Sequence, residues 1–222
     1  MGLATDLISY WKMDDSSGDI DDAKSTNDGT YNGALYSQTG KINDSIGFDG
    51  SNDTVTFGTH FGLGGTTGIT FNAWINFDAV NKYQGFLSTS TNLTFMAQTD
   101  GSLFMYIAGT GKTTAASVVS TGSFQMCTFT YDGTNMKIYH NAVLKATEAN
   151  TSNIPSENML LGNDRAISGR WFGGDMDEVG IWSAALTSTE ITSLYNSRSG
   201  WAYPFTSEPE AAPLKVFDVR FG

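Results

Sequence analysis

The 222-residue chain is poor in the residues that most reactive sites require. It has one cysteine, Cys127, which excludes an intrachain disulfide framework, and two histidines, His60 and His140. One Cys and two His do not make a zinc site of those residue types. Neither histidine lies in a motif that would make it the base of a hydrolytic triad. Twelve basic residues stand against 23 acidic ones, for a formal charge of −11, and the basic residues are scattered. Nucleic acid and anionic membrane surfaces are therefore excluded as partners. No apolar run approaches membrane-spanning length, so membrane insertion is not expected. Met1 to Asp15 has no basic start followed by an apolar stretch, the pattern of a signal peptide.

What is abundant is aromatic and strand-forming. The chain has 14 Phe, 9 Tyr and 5 Trp, enough large side chains for the core of one sizeable domain. Strand-like runs recur about every ten residues, with turn residues between them. They include Leu7–Met13, two runs around the turn in Ser45–Phe57, Ile69–Phe77, Gly85–Ser88, Leu93–Gln98 and Ser102–Ala108. Phe124–Gly133 and Met136–Tyr139 read as a hairpin, with His140-Asn141 as a type I′ turn after it. Met159–Gly162 and Arg170–Trp182 follow. The segment Gly109-Thr110-Gly111-Lys112-Thr113 ends like a phosphate-binding loop, but Tyr106 holds the leading glycine position and no helix follows, so a hairpin turn is expected. Almost no helix and many short strands predict two packed antiparallel sheets.

The organising stretch is Gly173-Gly174-Asp175-Met176-Asp177-Glu178-Val179-Gly180-Ile181-Trp182. Period-two alternation places Val179 and Ile181 on one face, with Asp177 on that same face at the strand's start, and Glu178, Gly180 and Trp182 on the other. Thr187-Ser188-Thr189-Glu190 is a capping box, and Ile191, Leu194 and Tyr195 give the helix after it a short apolar face. This unit resembles the closing segment of laminin-G-like, concanavalin A-type jelly-roll domains, G-x-I-D-E-V-x-I-Y/W followed by L-x-x-x-E-I-x-x-L-Y. Phe48-Asp49-Gly50, Ile69–Phe77 and Phe124–Gly133 are similar to further motifs of the same family, and the likeness runs over roughly residues 5 to 200. It implies an all-β, two-sheet antiparallel jelly-roll sandwich with one short helix near the C-terminus. The division expected is residues 1–203 for that domain and residues 204–222 for a Pro-rich tail.

The resemblance also implies a site. Ile20–Thr30 matches the family's V-D-S-S-G-N-G-N-x-G-T loop, with Asp21 on its Asp and Asn27 on an Asn, and Lys24 and Thr26 in place of glycines. Members often hold a structural calcium ion between that loop and the Asp of the closing strand, which carries over to Asp21, Asn27 and Asp177. Hard cations suit such oxygen sets. Glycosidases sharing this sandwich carry E-x-D-x-x-E or E-x-D-x-E on one strand face. Six glutamates are present (Glu148, Glu157, Glu178, Glu190, Glu208, Glu210), and none makes that pattern, so no enzyme is expected and a glycoside hydrolase is the remote alternative. Sugar recognition uses aromatic faces in polar surroundings, and Tyr83, Trp171 and Trp201 sit in such contexts; Trp11, Trp74 and Trp182 read as core.

The tail carries Pro204, Pro209 and Pro213 and ends in Lys215–Phe221, where Phe217, Val219 and Phe221 share one face. A lone strand of that length is not stable, so it must dock on its own domain or on another chain, a second copy included. The expected function is a non-catalytic module that binds a glycan or surface protein. The alternative is a purely structural decoration subunit anchored to other subunits by the tail. The absence of an export signal together with the extracellular habit of the family points to a phage virion protein, made in the cytoplasm and displayed outside.

Overall fold

The computed structural model describes residues 3–33 and 35–206. The chain opens with β1 (Leu7–Trp11), then β2 (Thr30–Asn32), β3 (Gln38–Thr39), β4 (Asp44–Asp49) and β5 (Thr54–Thr56). After β6 (Ile69–Phe77) comes a meander of β7 (Gln84–Ser88), β8 (Leu93–Ala97), β9 (Leu103–Ile107) and β10 (Thr110–Thr113). Next are β11 (Gln125–Tyr131), β12 (Asn135–His140) and β13 (Val143–Ala149), then β14 (Leu160–Leu161), β15 (Gly173–Trp182) and the helix α1 (Ser188–Tyr195). One sheet runs β13-β12-β11-β6-β15-β4-β3, with β1 also on β15; the other runs β10-β9-β8-β7-β14-β5-β2. All the strand ladders are antiparallel, as the jelly-roll expectation required.

The core forms because strand alternation aims one side chain in two between the sheets. On β6 these are Ile69, Phe71, Ala73, Ile75 and Phe77, and on β11 Cys127, Phe129 and Tyr131. Phe129 of one sheet stacks on Phe95 of the other, with ring centroids 5.0 Å apart and planes 3° from parallel. Trp11 and Trp182 are wholly buried and Trp74 is nearly so, as read from the sequence. A second apolar cluster lies on the outer face of the larger sheet, where α1 covers Tyr10, Trp74 and Trp182. Thr187 caps α1 in the reciprocal box with Glu190. The packing continues past residue 203: Phe205 lies edge-on to Tyr10 at 5.5 Å and near Trp201 at 5.4 Å. Phe205 thus helps to cover the apolar outer face of β1. The expected docking residues Phe217, Val219 and Phe221 lie outside the described residues.

Several local expectations shift. The turn after β12 is Asn141-Ala142, both at positive φ, one residue later than expected, and His140 stays in the strand. It leads into β13, an edge strand the sequence reading did not foresee, in which Val143 and Leu144 are exposed. Only Ala108 and Gly109 turn before β10, and Thr110–Thr113 is strand. The largest correction concerns Asp177, which does not share the Val179/Ile181 face. The β15–β6 register slips between Asp177 and Gly180, and Glu178 has φ 50°, so a bulge inserts one residue. Met176, Val179 and Ile181 then all face the core, while Asp177 sits opposite Trp74 on the outer side.

Candidate functional site

The outer face of the smaller sheet carries a groove of about 300 Å³. Its first wall is the loop from Asn163 to Arg170, which lies directly on β7. Gly85 makes that possible, since a Cβ there would overlap the backbone of Asn163 and Asp164. Ser88 pins the loop: its hydroxyl donates to the Asn163 carbonyl at 2.7 Å and accepts the Arg165 amide at 3.1 Å. The Gly85 amide donates to the Arg170 carbonyl at 3.0 Å.

Asp164 is 2% exposed and fully engaged. One oxygen accepts from the Thr94 hydroxyl at 3.1 Å and the Ala166 amide at 3.2 Å, and the other accepts from Arg170 Nη1 at 2.9 Å. The guanidinium carbon lies 4.4 Å from the centroid of the Tyr83 ring. Breaking such a buried pair from one side strands a charge and costs about 3–5 kcal/mol, so the wall is rigid. The cation–π contact with Tyr83 further holds the guanidinium in place.

The floor and second wall come from β9. Leu103, Met105 and Ile107 point into the core, which leaves Phe104 and Tyr106 half-buried on the outer face. Their rings stack along the strand at 6.4 Å and 20°. The neighbouring position on β10, opposite Tyr106, is Gly111, where a Cβ would stand 2.9 Å from Phe104 Cε2 and Cζ. Thr91 forms one end of the groove. The Glu157 carboxylate holds that turn, accepting from the Ser90 hydroxyl, the Thr91 amide and hydroxyl and the Asn92 amide group at 2.7–3.1 Å. Those donors bring its pKa down to about 2 against the opposing effect of burial.

Of the residues singled out from the sequence for sugar binding, Tyr83 adjoins the groove beneath Arg170 and is 38% exposed. Trp171 bridges to Asn163 behind the wall. Trp201 lies on the opposite sheet's outer face, packed with Phe205. The structure does not bring these three together. Phe104 and Tyr106 were missed, because Leu103–Ile107 is a continuous apolar run whose two faces the sequence does not tell apart.

The residues carried over for calcium are Asp21, Asn27 and Asp177. Asp21 is exposed at the edge of a separate pocket of about 210 Å³ with Lys12, Asp14 and Asp15. Its neighbour Asp22 is the buried acid of the loop, accepting the Tyr10, Lys24 and Asn27 amides and the Ser25 hydroxyl, which hold its pKa below the usual range despite burial. Asn27 spends its side-chain amide as a donor to Ser9 and Ser25. Asp177 accepts the Lys41 and Ile42 amides at 2.7 and 2.9 Å on one oxygen. Among the described residues no group of three or more His, Cys, Asp or Glu side chains is placed to hold a metal ion.

Asp177 and Glu178 instead form a buried acid pair where the neighbour of β15 changes. β4 pairs with Gly173–Met176 and β1 with Val179–Trp182, leaving a gap at the two acids. Glu178 accepts the Tyr10 hydroxyl at 2.5 Å, while Asp177 Oδ1 and Glu178 Oε1 are buried without a partner. Burial, together with Glu178's charge, pushes the Asp177 carboxyl up to about 8, and burial pushes Glu178 up to about 7. The pair is sealed from solvent, and neither acid lines the groove described above. His140 accepts or donates only to Gln125 at 3.0 Å and Asn141, and burial lowers its pKa to about 4. Burial pushes the Cys127 thiol well up, so it is inert packing.

No curated protein matches the chain. Solved structures do. Domain 4 of AbnA, an extracellular GH43 arabinanase from Geobacillus stearothermophilus determined with arabinotriose, aligns with TM-score 0.68 at 18% identity over 84% of this chain and 96% of that one. The binding domain of Paraclostridial Mosquitocidal Protein 1 aligns with TM-score 0.72 at 14% identity, over 88% of this chain and 53% of that one. Trypanosoma rangeli sialidase aligns with TM-score 0.65 at 12% identity, over 88% of this chain and 33% of the enzyme. At such identities the likeness is one of fold. A laminin-G family model, described as the concanavalin A-like lectin/glucanases superfamily, matches residues 49–192, well over half of the chain, and the chain belongs to that superfamily.

Proposed function

We propose that this chain is a non-catalytic glycan-recognition module whose ligand lies over Phe104 and Tyr106 against the Asp164–Arg170 wall. The observation that carries the reading is the pairing of an aromatic strip with a pre-fixed polar wall in one groove. Apolar sugar faces stack on aromatic rings, and fixed N–H donors orient hydroxyl groups at little entropic cost. Several structures of like fold support it: the arabinanase domain carries arabinotriose, and two others are binding domains of toxins. Hydrolysis of a glycosidic bond requires two carboxyl groups flanking it. The groove lining includes one, Asp164, and both of its oxygens are already engaged. The test is a glycan array probed with the protein and with Phe104→Ala and Tyr106→Ala. Selective binding that both variants lose, with melting temperatures unchanged, is expected; binding that survives both, or no binding by the folded protein, overturns the reading. Display on a virion, with anchoring through Phe217, Val219 and Phe221, is a separate proposal that rests on sequence resemblance; deletion of residues 206–222 tests it through loss of assembly.

A further inference from the structure

We infer that the groove takes a neutral, linear oligosaccharide spanning at least two sugar units, and that Gly111 sets this specificity by letting the Phe104 ring lie flat beside Tyr106. The inference rests on the glycan reading above and adds charge class, length and a residue that sequence reading passed over as a turn glycine.

Charge class follows from what the groove already holds. The ionisable side chains among its lining residues are Asp164, Arg170 and Tyr106. Asp164 and Arg170 cancel one another at 2.9 Å. An acidic sugar would have to compete with a buried carboxylate for that guanidinium while approaching a protein of net charge −11. A neutral sugar meets no such penalty, because a guanidinium has five N–H donors and a hydroxyl oxygen that accepts from one not spent on Asp164 leaves the pair intact.

Length follows from the platform. The two rings have centroids 6.4 Å apart and planes within 20°, so they present a continuous tilted surface wider than one sugar ring. A monosaccharide covers one ring and leaves the other wet. Two linked units cover both, and the second unit binds with most of its translational freedom already spent. The surface exists because β10 offers no side chain at position 111. Gly111 is exposed and its φ is not in the left-handed region, so another residue fits the backbone there. A side chain would instead strike the edge of the Phe104 ring, 2.9 Å from the Cβ, and lift it out of line with Tyr106.

The test is titration calorimetry of the intact protein. One set of probes is neutral gluco-, manno-, xylo- and arabino-oligosaccharides from monosaccharide to hexasaccharide; the other is oligogalacturonates and sialyllactose. For one neutral series, affinity is expected to rise at least about tenfold from monosaccharide to disaccharide or trisaccharide, equal to ~1.4 kcal/mol, and to be indifferent to salt. Gly111→Val is expected to remove that gain while leaving the melting temperature unchanged or higher, since valine suits an exposed strand. Tighter binding of the acidic probes, a monosaccharide bound as well as its oligomers, or Gly111→Val binding like the parent overturns the inference and leaves the glycan reading standing. Failure of every probe in both sets, with an empty glycan array, overturns both.

Discussion

Replacing Asp177 by asparagine isolates the buried acid pair at the β15 bulge and gives its charge a measurable signature. In the folded protein both carboxyls have pKa values above their ordinary values of 3.8 and 4.5, chiefly because burial penalises the ionised form. Between those ordinary values and the raised ones, about 8 for Asp177 and about 7 for Glu178, the folded chain therefore holds protons that the unfolded chain has lost. Stability then falls as pH rises through that window, by about 1.4 kcal/mol per pH unit for each extra proton held. This is the reverse of a salt-bridged carboxylate, which loses stability as pH falls. Burying one ion after relaxation still costs several kcal/mol, so about 2–4 kcal/mol should disappear between about pH 5 and pH 8.

Asparagine keeps an oxygen for the Lys41 and Ile42 amides and cannot ionise. Melting curves of both proteins, at fixed ionic strength from mildly acid to mildly alkaline pH, should diverge upward. The variant should gain on the parent by roughly 5–10 °C across the window, at about 2–4 °C per kcal/mol for a domain of this size. Parallel curves would refute the reasoning. The same melts in chelator decide the calcium expectation: if the pair holds protons rather than a cation, chelation should leave the parent unchanged. A fall in the parent that vanishes in Asp177→Asn would put a cation at that oxygen and remove the proton.

Two further changes probe the groove. Gly85→Ala forces the 163–170 loop off β7 and should cost about 1–3 kcal/mol, read by denaturant titration, together with glycan binding. Glu157→Gln should cost about 1 kcal/mol at neutral pH, a modest figure for a partly exposed group. That loss should vanish as pH falls from the ordinary carboxyl value of 4.5 towards 2, where the parent's carboxylate protonates as well.

The sandwich was legible because strand alternation is local: Ile69 to Phe77 and Gln125 to Tyr131 declare their inward faces in any context. The capping box at Thr187 was legible for the same reason. What escaped depended on partners distant in sequence. Asp177 took the wrong face in the reading because its bulge arises where β15 exchanges β4 for β1, a feature of the assembled sheet. The role of Asp22 as the buried acid of its loop was likewise not legible, because it depends on meeting the Tyr10 amide of a distant strand.

The groove is the instructive case. All five residues of β9 are apolar; packing turns Leu103, Met105 and Ile107 inward, so Phe104 and Tyr106 project to the outside, where large aromatics have no packing role to fill unless another layer covers them. Whether that layer exists is the one thing alternation cannot say. Here the 163–170 loop covers β7, admitted by Gly85, and stops short of β9, leaving the rings open above Gly111. Two glycines of one sheet, on β7 and β10, thus decide where the surface is closed and where it is open, and an aromatic pair on the outer face of the strand β9 becomes a binding platform by that decision.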